Sequence, residues 1–187
     1  MTATELEINI LPTPNPNALK FMLDIPLKNE GKVTYRSTTE CEDNPLALEL
    51  FKLRGVDNLH FFQNSVTITK FNFIEWNELE EAIESCLKKF APAHNPDFKV
   101  DDPEAERRKN LPPELLEVEE VLDRTIRPGL QADGGDVVCV DLKDDVLIIR
   151  YQGACGTCPS STSGTLSAIR SILQDELKRD IEVYIAP

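Results

Sequence analysis

Cys155 and Cys158 are the residues of this chain whose type and spacing best suit chemistry. They stand in Gly153-Ala154-Cys155-Gly156-Thr157-Cys158-Pro159-Ser160-Ser161, with only two residues between them. Both sulfurs can therefore reach one metal, or each other. An apolar, strand-like run at 146–151 precedes them and an apolar-periodic run follows, which predicts a turn that leaves a strand and enters a helix. Backbone N–H groups at a helix start point outward with partial positive charge, a field that favours thiolate over thiol. Gly156 lets the backbone approach whatever the sulfurs hold. A lone Cys-x-x-Cys fits half of a zinc site, half of an iron–sulfur site, or a thioredoxin-like dithiol redox centre. The redox reading is disfavoured because the predicted element order places no βαβ unit before the motif.

Zinc and cubane clusters take four protein ligands, and this loop supplies two. The remaining candidates read as structural. Cys86 falls on the inner face of an amphipathic helix and Cys139 in a strand between valines, so both are expected to act as small hydrophobes. Cys41 precedes a helix and is expected to be an incidental surface thiol. His60 lies beside Phe61 and Phe62 in a β-prone run and reads as structural, and His94 is given no role. The simplest source of two further thiolates is a second copy of the chain, with a two-fold axis near the loop. Four sulfurs would then enclose one centre, exposed and held by loops, which suits transfer better than storage.

The elements that position the loop follow from periodicity. Short strands are expected at 6–10, 19–23 and 33–36, with the turn-rich Thr13-Pro14-Asn15-Pro16-Asn17 between the first two. Asn44 and Pro45 have the chemistry of an N-cap and a first helical residue, and predict a helix over 46–53 that stops before Gly55. A hairpin is expected from 56–62 and 66–70 around Gln63-Asn64-Ser65. A helix with Trp76, Leu79, Ala82, Ile83, Cys86, Leu87 and Phe90 on one face follows. Residues 92–112 are polar and proline-rich and read as a linker, flexible or locally helical around 104–109. Beyond it come a helix with Leu115, Val118, Leu122, Thr125 and Ile126 inward, terminated at Pro128-Gly129, and a Gln131-Ala132-Asp133-Gly134-Gly135-Asp136 turn. Strands at 137–142 and 146–151 join at Lys143-Asp144-Asp145, and a helix at about 162–178 and a strand at 181–185 close the chain. The expected fold is α+β: two small sandwich-like domains at 1–91 and 113–187, joined by the polar linker 92–112.

Composition narrows the partners. With 33 acidic and 20 basic residues the formal charge is −13, a surface that repels phosphate backbones and argues against nucleic acid. The 41% hydrophobic content supports packed cores. No apolar run is long enough to span a membrane, and the first residues carry no targeting pattern. Five cysteines with one close pair do not make a secreted disulfide framework, so a reducing cytosol is expected, with a mature organellar form as the alternative.

The segment Leu122-Asp123-Arg124-Thr125-Ile126-Arg127-Pro128-Gly129-Leu130-Gln131-Ala132-Asp133-Gly134-Gly135-Asp136, taken with the thiol loop, resembles the C-terminal NifU-type domain of the Nfu iron–sulfur carrier family over roughly 114–185. Thr13-Pro14-Asn15-Pro16-Asn17-Ala18-Leu19-Lys20-Phe21, with Leu50-Phe51, Gly55-Val56, Phe61-Phe62 and Val66-Thr67-Ile68-Thr69-Lys70, resembles that family's N-terminal domain. The resemblance implies a non-enzymatic scaffold or carrier. It would bind a cluster, [4Fe–4S] before [2Fe–2S], through Cys155 and Cys158 of a homodimer, take it from a donor scaffold and deliver it to apo iron–sulfur proteins. The N-terminal domain would recognise partners. The Gly134-Gly135 turn is expected near the site, as a hairpin entry that needs positive φ rather than as a cluster contact. The alternatives that stay beside this reading are a thioredoxin-like dithiol protein and a structural zinc module.

Overall fold

A computed structural model describes residues 6–99, 103–157 and 161–186. The chain divides into two compact units, 1–100 and 101–187. Both are α+β.

The first unit is one antiparallel sheet with two helices. Strands β1 (Ile8–Pro12), β2 (Ala18–Leu23), β3 (Lys28–Tyr35), β4 (Val56–Gln63) and β5 (Ser65–Lys70) stand in the order β1-β2-β5-β4-β3. Helix α1 (Pro45–Phe51) follows the cap chemistry of its sequence: the Asn44 side chain accepts from the Ala47 amide at 3.1 Å and proline opens the first turn. Helix α2 (Trp76–Phe90) buries Leu79, Ile83, Cys86 and Leu87. Alternate strand residues, among them Phe21, Val33, Leu59, Phe61, Val66 and Ile68, complete that core. The opposite alternation puts Lys20, Thr67, His60 and Thr34 in one cross-strand row.

The stretch read as a linker carries structure. His94 Nε2 donates to the Leu27 carbonyl at 2.9 Å and its ring stacks on Phe61, while the Phe98 carbonyl accepts from Lys28 Nζ at 3.0 Å. His94, given no role above, thus helps close the first unit. Helix α3 (Pro103–Arg108) belongs to the second unit, where Arg107 donates to the Cys139 carbonyl at 3.0 Å.

In the second unit, α4 (Pro113–Thr125) is followed by α5 (Arg127–Ala132). Pro128 was expected to end a helix, but here it begins one. A first-turn proline gives up only an N–H that has no intrahelical partner, so the chain breaks at Ile126 and starts again. Strands β6 (Gly135–Lys143) and β7 (Val146–Gly153) form a hairpin whose turn residues, Asp144 and Asp145, both take positive φ, the conformation a two-residue hairpin needs. Helix α6 (Ser161–Leu177) returns the chain so that β8 (Glu182–Ile185) lies parallel to β7. Parallel neighbours require such a crossover. The crossover β7-α6-β8 is itself a βαβ unit, which the chain enters through residues 154–157; the described elements of the second unit before that turn contain none, as expected.

Candidate thiol site

Gly153 ends β7 with φ +59° and faces Gly135, the first residue of β6, across the sheet. Gly134, with φ +78°, lends its carbonyl to the Ala154 amide at 3.1 Å. Its positive φ is what the sequence led one to expect at a hairpin entry. Residues Ala154–Thr157 then form a tight 3-10 turn that carries Cys155. Cys158, the second thiol of the pair, lies outside the described residues.

Cys155 is only 8% exposed and packs with the core of the second unit. Its seat is Gly135. A Cβ built there would meet the Cys155 sulfur first, and would lie 2.9 Å from the Cys155 amide nitrogen and 3.0 Å from its Cβ. Gly135 is needed for space, a reason distinct from the φ requirement at Gly134. Gly156 is less constrained: a Cβ there would lie 3.5 Å from the Tyr151 carbonyl, an ordinary contact. Tyr151 is buried near the end of β7. Burial, then the neighbouring Cys155, pushes its phenol up to about 12, with Thr165 of α6 acting to lower it.

Behind the seat is a buried charge cluster that sequence reasoning missed. Arg127 is 3% exposed. It pairs with Glu119 at 2.6 Å and Asp123 at 2.5 Å, donates to the Val137 carbonyl at 3.0 Å, and lies 3.5 Å from Asp136. Arg108 adds contacts of 3.0 Å to Glu119 and 2.6 Å to Asp123. Burial disfavours the Arg127 charge, but Glu119 and then Asp123 outweigh it and hold the guanidinium above its usual range. A signal was available: residues 119, 123 and 127 recur every four positions, the spacing of one helical face.

Burial raises the Asp123 carboxyl, yet the hydrogen bonds and charges of Arg127 and Arg108 outweigh it and leave it below its ordinary 3.8. A carboxylate lowered by folding contributes stability above its unfolded pKa and loses it as pH falls through the folded value. Acid titration from pH 5 to pH 2, followed by circular dichroism, should therefore destabilise the wild type more steeply than Asp123→Asn.

The other three thiols are enclosed. Cys86 and Cys139 sit in the two cores, as expected. Cys41 does not lie on the surface: it is buried, with its sulfur 3.6 Å from the carbonyls of Ser37 and Thr38, because the short turn before α1 folds it under that helix. Burial, then Glu40, pushes Cys41 up to about 11. Burial, then Glu49, does the same for Cys86. Burial, then Glu119, raises Cys139. Brief iodoacetamide treatment of the reduced, folded protein at pH 7.5 should leave all three unmodified by peptide mass, and labelling at any of them would contradict this burial. His60 is structural: it is buried and shares a 2.8 Å hydrogen bond with Thr34.

Fold and site together define the class: a two-domain α+β protein that presents a thiol loop at a strand-to-helix crossover. Residues 118–184 match the NifU-like domain, and residues 8–94 match the family described as scaffold protein Nfu/NifU N terminal. The chain belongs to the Nfu-type family. Over 164 residues it is 32% identical to the human protein named NFU1 iron-sulfur cluster scaffold homolog, mitochondrial, covering 87% of this chain and 65% of that one. The Drosophila grimshawi protein of the same name is 31% identical over 171 residues, with 87% and 55% covered. The chain thus spans less than two thirds of the length of these relatives. A solved NifU-like protein from Saccharomyces cerevisiae is 26% identical, with a TM-score of 0.46, over 55% of this chain and 91% of that one.

Proposed function

We propose that this protein is a non-enzymatic iron–sulfur scaffold that receives a cluster, holds it and passes it to apo-proteins. The cargo is a [4Fe–4S] cluster held between two chains by Cys155 and Cys158 of each. The observation that carries this reading is the fate of the other thiols. Cys41, Cys86 and Cys139 are buried with no second thiol near them in sequence, whereas Cys155, also buried, stands on a turn two residues before another thiol, so that loop is the sulfur source left to a chain of a family whose relatives are named as cluster scaffolds. Two ligands per chain make half of a four-sulfur cage, and a second copy supplies the rest. The N-terminal unit recognises donors and acceptors; there Phe71 and Phe73 stack on one another at the surface, with ring centroids 5.6 Å apart. The names of the relatives offer the mitochondrion as the alternative to the cytosol.

Anaerobic reconstitution with iron and sulfide, followed by size measurement, tests the proposal. The expected product is a brown dimer with about half a cluster per chain, and Cys155→Ala should lose it. A monomer holding a whole cluster, or a Cys155→Ala protein with full content, would defeat the shared-cage assignment.

One observation favours a second reading. The turn that carries Cys155 leads from β7 into the parallel β7-α6-β8 crossover, and a Cys-x-x-Cys near a βαβ pattern is the setting of dithiol redox centres. Acceleration of insulin reduction by dithiothreitol, with no iron uptake, would establish that alternative.

A further inference from the structure

We propose that Asp136 is the positioning residue of the thiol loop, fixing the floor on which Cys155 rests. Its consequence for cluster holding rests on the function proposed above; its structural role does not.

Asp136 is fully buried, one residue beyond Gly135. Its Oδ2 accepts from Gln131 Nε2 at 3.0 Å, and its Oδ1 accepts from the Val137 amide at 2.6 Å with Arg127 Nε 3.5 Å away. Arg127 Nε in turn donates to the Val137 carbonyl at 3.0 Å. One carboxylate thus binds the end of α5, the start of α5 and the first residues of β6 to each other. Burying a carboxylate is unfavourable unless its charge and lone pairs are met, and here they are met from three sides. What the arrangement holds still is the Gly134–Gly135 corner. Gly135 pairs with Gly153 and lies under the Cys155 sulfur, and the Gly134 carbonyl takes the Ala154 amide. Without the carboxylate, β6 begins at an unanchored diglycine, and the floor beneath Cys155 can drop away from the sulfur.

The test uses the reduced full-length protein and reads iodoacetamide modification of Cys155 by peptide mass. Asp136→Ala should raise that rate about tenfold, the scale on which loss of supporting partners usually acts at thiol and metal sites. Asp136→Asn keeps the acceptor oxygen and should give a smaller rise. Leu115→Ala, a buried truncation at the start of α4, controls for general loosening and should leave the rate unchanged. If Asp136→Ala does not fold, Gln131→Ala removes one of the ties and should still raise the rate. An unchanged Cys155 rate, or an equal rise in Leu115→Ala, overturns the proposal. In reconstituted protein, Asp136→Ala should also lose cluster to a chelator about tenfold faster, with an altered visible circular dichroism spectrum. If the wild type loads and both properties match it, the positioning role fails; if the wild type takes up no cluster, the scaffold reading fails and the alkylation rates still decide the role of Asp136.

Discussion

Gly135→Ala should fold and yet fail to hold a cluster. The added methyl would press on the Cys155 sulfur, which could rotate, and on the Cys155 amide nitrogen at 2.9 Å, which could not. The backbone of the loop must therefore shift. Overpacking of this kind costs about 1–3 kcal/mol, within what a domain of ordinary stability can tolerate. With Cys155 holding the cluster as proposed, its displacement is felt more strongly at the metal, so cluster content after reconstitution should fall about tenfold or more. Gly129→Ala is the matched control: it lies in α5, has nothing within 4 Å of the new carbon, and should load normally. Absorption of the reconstituted proteins near 400 nm, normalised to chain concentration, compares them. Wild-type content in Gly135→Ala would show that Cys155 leaves its seat when the cluster binds.

Arg127→Ala should be the most destabilising single change in the second unit. It takes from Glu119 and Asp136, both buried, the buried guanidinium that helps offset their charge, and leaves Glu119 to the partly exposed Arg108. Removing one partner of a buried ionic group costs about 3–5 kcal/mol. Against a typical domain stability of about 5–15 kcal/mol, that is enough to leave the unit marginal. Urea unfolding monitored by far-ultraviolet circular dichroism, with midpoint and slope combined, should show a loss of unfolding free energy of this size. The double variant Arg127→Met with Glu119→Gln should recover part of the loss, because one uncompensated charge goes with it. A loss below about 1 kcal/mol in Arg127→Ala would mean that water or Arg108 relieves the carboxylates instead.

Much of this molecule was written in local chemistry. Asn44 and Pro45 open α1 because a side-chain acceptor and a residue without an N–H suit a helix start wherever it occurs. The apolar stripe of α2 names its buried face by spacing alone, and the β6–β7 hairpin follows from two residues that tolerate positive φ. The thiol pair was legible for the same reason: its meaning lies in the distance between neighbours along the chain.

Long-range contact decided the rest. Whether Cys41 is covered depends on how the chain folds back before α1, which residue type does not specify. The parallel pairing of β7 with β8 joins segments separated by all of α6. Gly135 shows the limit best: as a letter in the chain it says only that the backbone there is free, and it takes the packed β6–β7 corner to show that the absent methyl is the room in which the sulfur of Cys155 lies. Periodicity and spacing record what a residue requires of its neighbours in sequence, whereas the space a side chain must leave empty is set by atoms that arrive only when the chain has folded.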